Sequence, residues 1–76
     1  MQSLRNTGIN KPVKVLELQA EGTLRRRLMD MGITKGVQIV IKKVAPLGDP
    51  IEISLRGYGL SIRKADAEKI IVEEVQ

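Results

Sequence analysis

The chain has no cysteine, no histidine, no phenylalanine and no tryptophan, and it has one tyrosine in 76 residues. Each absence excludes a class of chemistry. Without thiols there are no disulfides, no thiolate nucleophile and no sulfur ligand; without imidazole there is no side chain that ordinarily titrates near neutrality and no zinc site of the usual kind. Carboxylates remain, but Asp66 with Glu68 and Glu73 with Glu74 read as solvated charge, so no metal site and no cofactor are expected. Lack of disulfides fits a reducing compartment. No apolar run approaches the roughly 18 residues that span a bilayer, and the opening MQSLRNTGINK has no apolar signal core. The expectation is a soluble, cytoplasmic protein without membrane insertion.

Without large aromatics the core must be built from Ile, Val, Leu and Met, and branched aliphatic side chains suit a pleated sheet better than a bundle. The length supports a single domain, residues 1–76, with 1–11 a turn-rich lead-in from which Leu4 or Ile9 tucks against the rest. A domain of this size buries only about 60 to 65% of its unfolded surface, so every core position counts. A net charge of +4 attracts acidic partners, without saying whether protein, nucleic acid or membrane.

The most legible stretch is Gln38 to Lys64, three consecutive antiparallel strands joined by two turns. With Gly57-Tyr58 as the centre of a two-residue turn, Leu55 faces Leu60 and Ile53 faces Ile62 on an aliphatic side. Ser54 then faces Ser61, and Glu52 faces Arg63, on a polar side. Earlier in the chain, VKVLEL from Val13 to Leu18 reads as a first strand following Pro12. Thr23 reads as the N-cap of a short helix LRRRLMDM, Gly32 as its left-handed C′ residue, and Ile33 as the contact for Leu28 that completes a Schellman ending. Leu24, Leu28 and Met31 form its apolar stripe. Between Val37 and Val44, Val37, Ile39 and Ile41 alternate inward while Val40 and Val44 lie on the other face, as in a bent strand. The connector APLGDP should stand clear of the sheet, KADAEK forms one helical turn, and IIVEEV ends the domain as a strand. The expected architecture is mainly β: a small barrel of about five antiparallel strands, a short inserted helix, and a helical turn before the last strand.

Few motifs carry chemistry. Gly57-Tyr58-Gly59 opens a dinucleotide-binding pattern, but position 62 is Ile and a strand follows; Ser61-Ile62-Arg63-Lys64 matches S-x-x-K by type only, on a strand end. No catalytic residue is expected. Arg25-Arg26-Arg27 is a solvated helix flank or a docking face for an acidic partner, and Arg27 alternatively snorkels along the apolar stripe. Leu47, at the tip of the proline-bracketed loop, either caps one end of the barrel or is an exposed apolar anchor, and Tyr58 has the same two readings. Arg25, Arg26, Leu47, Asp49 and Tyr58 are therefore the candidate partner-contacting residues. One tyrosine is too little for a base-stacking platform, and no specific nucleic acid is expected.

The residues LRRRLMDMGITKG followed by VAPLGDPIEISLRGYGLSIRKADAEKIIV resemble the ferrous iron transport protein A (FeoA) family over about residues 24 to 72. Arg27, Leu28, Met31, Gly32, Pro46, Gly48, Asp49, Pro50, Gly57, Leu60, Ser61, Ile62 and Arg63 meet the family pattern; Thr7 to Val13 matches its usual opening only loosely. The resemblance implies an SH3-like barrel and a non-enzymatic, cytosolic accessory that acts by protein–protein interaction with FeoB, the membrane ferrous iron transporter. Two alternatives stand beside it: a basic SH3-like barrel that binds nucleic acid, and a stand-alone relative of the C-terminal domain of iron-dependent repressors. Oligomeric state is not legible.

Overall fold

The computed structural model describes residues 2–75. Along the chain run β1 (Gln2–Ser3), a 3-10 turn (Leu4–Asn6), β2 (Val13–Leu18), α1 (Gly22–Asp30), β3 (Gln38–Val44), a second 3-10 turn (Pro46–Gly48), β4 (Ile51–Leu55), β5 (Tyr58–Ile62), α2 (Lys64–Ala67) and β6 (Ile70–Glu74). The strands form one antiparallel sheet in the order β1-β6-β2-β3-β4-β5. Register shifts between Val15 and Glu17 in β2 and between Ile41 and Lys43 in β3 add local twist, and the sheet curls into a body of 29 × 28 × 23 Å.

Alternation puts one aliphatic set inside the curl. Val13 and Val15, Ile39 and Ile41, Ile51, Ile53 and Leu55, Ile62, and Ile70 with Val72 are all buried, closed over by Leu28 of α1, Ile33, Ala67 of α2 and Leu4. Val37 just before β3 and Ile39 and Ile41 on it are buried and Val40 is half-buried, as alternation requires. Beyond the register shift Val44 pairs with the inward Ile51, so the expected alternation does not carry through to it, although it stays exposed at the strand end. The end of α1 is a Schellman motif. Ile33 N–H donates to Leu28 C=O at 3.0 Å, Gly32 N–H donates to Met29 C=O at 3.0 Å, and Gly32 sits at φ 94°.

Three further expectations need correction. The sheet has six strands, because Gln2 and Ser3 pair with Val72 and Ile71; the lead-in thus adds a strand, buries Leu4 and Thr7, and leaves Ile9 half-exposed. A two-residue strand has no alternation to read, since its pairing is made by backbone alone. The helix begins at Gly22 after Glu21, with no side-chain cap bond, and Thr23 lies inside it. Finally, the β4–β5 turn is centred on Arg56-Gly57, not Gly57-Tyr58. Both central residues are left-handed, at φ 50° and 83°, as a type I′ turn demands. Ile53 therefore pairs with Leu60, Ile51 with Ile62, Ser54 with Gly59 and Glu52 with Ser61. A slip of two residues keeps every side chain on its own face, so the aliphatic sorting holds while the Glu52–Arg63 pairing does not.

Candidate partner-docking surface

The loop between β3 and β4 is held from three directions. Ala45 N–H donates to Pro50 C=O at 3.0 Å, Gly48 N–H donates to Ala45 C=O at 2.9 Å, and Asp49 Oδ1 accepts the Lys64 N–H at the start of α2 at 3.0 Å. Its tip is Leu47, at φ 71° and 98% exposed. It does not fold back to cap the end of the barrel. A left-handed backbone is uncommon for a residue with a Cβ, and it persists only where the surroundings hold it.

The arginine run divides into three different environments. Arg25 Nη1 donates to Leu18 C=O at 3.2 Å, fastening α1 to the end of β2. Arg26 is exposed and has no hydrogen-bonded or ion-paired partner among the described residues. Arg27 does not snorkel along the stripe; its Nη2 meets Asp66 Oδ2 of α2 at 3.2 Å. Arg25 and Arg26 together line an open depression of about 440 Å³ with Met29, which is 45% exposed.

Leu47 and Asp49 share the loop, and Arg25 and Arg26 share one face of α1. Tyr58 is 72% exposed but stands elsewhere, paired with Leu55 at the end of β4 remote from the loop, about 14 Å along the strand. The five candidates thus fall on three different elements, the β3–β4 loop, α1 and the start of β5, with Tyr58 set apart from the loop. Asp49 has a local duty as well, since its carboxylate caps α2.

What the sequence did not reveal is that α2 is a junction. It receives Asp49 from the loop, Arg27 from α1 and, through Glu68 just beyond its end, Arg5 from the first 3-10 turn at 2.6 Å. The partners lie 15, 39 and 63 residues apart, so no local pattern could signal them. Among the described residues no three carboxylates, histidines or cysteines gather to hold a metal ion, and no helix is long and apolar enough to cross a membrane.

A sequence profile of the FeoA domain matches residues 2–74. The Fe(2+) transport protein A/Fe(2+) transporter FeoB fusion protein of Porphyromonas gingivalis is 36% identical over 59 residues, 78% of this chain, and the chain spans only 7% of that protein's length. A FeoA-like protein of Clostridium acetobutylicum is 45% identical and superposes with a TM-score of 0.90, over 99% of this chain and 87% of its own. The FeoA of Stenotrophomonas maltophilia, solved with zinc and described as a prokaryotic SH3-domain protein, superposes with a TM-score of 0.83 over 96% of this chain and 91% of its own. At 21% identity that last likeness concerns the fold alone, which is SH3-like.

Proposed function

The chain belongs to the FeoA domain family, and from that premise we propose that it serves ferrous iron uptake as a single-domain cytoplasmic accessory, docking on the cytoplasmic region of the transporter FeoB without catalysis of its own. The observation that carries the docking role is Leu47. A leucine held left-handed at the tip of a loop tied at both ends, with 98% of its surface in water, contributes nothing to the core. A partner with an apolar recess gives it a use, and a preorganised loop loses little entropy on binding. FeoB is the proposed partner because a relative of this chain is a fusion of Fe(2+) transport protein A with that transporter. Tethering two interacting modules raises their effective concentration without any new contact.

Arg25 and Arg26 act in this reading as charges at the rim of the interface, which affect association more than residence time. The test compares wild type, Leu47→Ala and the double variant Arg25→Glu with Arg26→Glu for binding to the cytoplasmic region of FeoB, after circular dichroism confirms folding. Leu47→Ala should weaken binding by about tenfold, or about 1.4 kcal/mol. The double variant should slow association and flatten its salt dependence. If all folded variants bind within about twofold of wild type, the docking surface is not the one named.

A further inference from the structure

β5 is the last strand of the sheet order, so among the described residues one of its margins has no strand neighbour. The two-residue turn makes Leu55 and Tyr58 a hydrogen-bonded pair, and the alternation of an antiparallel ladder then commits Leu60 and Ile62 to β4 as well. The N–H and C=O groups of Gly59 and Ser61 consequently point to the open margin. Both residues are exposed, and among the described residues neither enters a backbone hydrogen bond outside the ladder. Two donors and two acceptors are left to water in strand geometry.

Proteins usually blunt such a margin with proline, a bulge or an inward charge. β5, YGLSI, has none of these, and its register with β4 is unbroken. Gly59 is the sharper clue. Its backbone is not left-handed, and a Cβ built on it meets nothing within 4 Å, so neither conformation nor packing calls for glycine. A glycine inside a strand weakens it, and where there is no bulge, as here, it often marks a place where a ligand or another backbone comes close.

Charge identifies the occupant. Arg56 stands at one end of β5, Arg63 and Lys64 at the other, and none of the three is in an ion pair among the described residues. The acids nearby are Glu52, opposite Ser61 on β4, Asp49, whose carboxylate accepts the Lys64 N–H, and Asp66 of α2, which is already paired with Arg27. A second copy of the chain is a poor fit, because pairing Gly59 with Ser61 of another molecule would set Arg56 against Lys64. We propose that the β5 margin takes up an extended acidic segment of the partner by strand addition, with Tyr58 and Leu60 contacting alternate apolar residues of that segment. This inference rests on the docking role proposed above.

The experiment follows amide hydrogen exchange in the free protein and in its mixture with the cytoplasmic region of FeoB, and measures binding of Ser61→Pro and Ser61→Ala. Proline at 61 removes an N–H that the β4 ladder does not use, so the strand tolerates it. The expected result is that the Gly59 and Ser61 amides slow by about tenfold or more in the complex, while Leu60 is protected with or without partner. Ser61→Pro should weaken binding by about tenfold and Ser61→Ala by less than about twofold. A complex in which Gly59 and Ser61 exchange as they do in the free protein overturns the strand-addition proposal and leaves the docking role standing. No complex with wild type overturns the docking role, and this proposal with it. Protection that appears with rising concentration of the chain alone identifies a second copy as occupant and overturns the acidic-segment proposal.

Discussion

Leu47 and Gly57 both have left-handed backbones, at φ 71° and 83°, yet the physical cost falls on only one of them. A leucine there sacrifices about 1 to 2 kcal/mol that a glycine would not. Leu47→Gly removes that strain and adds back some unfolded-state entropy, worth about 0.4 to 1 kcal/mol, so its melting temperature should equal or slightly exceed that of wild type. Its affinity for the FeoB cytoplasmic region should fall as far as that of Leu47→Ala. A melting temperature several degrees lower would mean that the leucine packs in solution and is no anchor. Gly57→Val is the converse case. Nothing lies within 4 Å of a Cβ built at Gly57, so the penalty is one of backbone conformation alone, about 1 to 3 kcal/mol. Thermal melting checks it, at about 4 to 8 °C per kcal/mol for a domain of this size, and Gly57→Asn should lose much less because asparagine accepts this geometry.

Among the elements, α2 has four residues and cannot stand alone; it is held by Ala67 in the core and by the polar contacts that converge on it. The contacts differ in weight. Asp49 satisfies a backbone N–H that the helix itself cannot, so Asp49→Ala should cost about 1 kcal/mol and also loosen the loop that presents Leu47. Asp66→Ala breaks a pair whose arginine is largely in water, and should cost under about 1 kcal/mol. Chemical denaturation of the two variants checks the ranking, and equal losses would mean that the cap is not formed. The same contrast explains what the sequence could show. Strands β2 to β6 were legible because alternation and turn residues are local, and Gly32 marked the end of α1 for the same reason. The β4–β5 register slipped because Gly57 was assigned the first central position of the turn when Arg56 holds it, and arginine gives no hint of a left-handed backbone. The Asp49 cap on Lys64 and the Gln2–Val72 pairing join distant residues through backbone groups that every sequence has, and so left no signature. Among the site residues, Leu47 and Tyr58 were recognisable as apolar groups without a local neighbour, but their separation along β4 was not.

Over the described residues, one aliphatic core joins the sheet to both helices. A domain of this length has a stability of about 4 to 11 kcal/mol. Leu28 is 0% exposed and joins α1 to that core, so Leu28→Ala should cost about 2 to 5 kcal/mol, enough to leave an appreciable unfolded fraction near physiological temperature. Denaturant titration checks it; a loss below about 1 kcal/mol would mean that α1 is not docked as described. The position of β6 between β1 and β2 has a further consequence, for the chain as it is made. Synthesis proceeds from the N-terminus at about 5 to 20 residues per second, so among the described strands β6 is made after the rest, yet it is the one that pairs with β1 and the main neighbour of β2. Until it emerges, β1 has no strand partner among the described residues, and β2 has only its short pairing with residues 36–39. On this topology the native sheet cannot be complete until residues 70–74 are available to pair with β1 and β2.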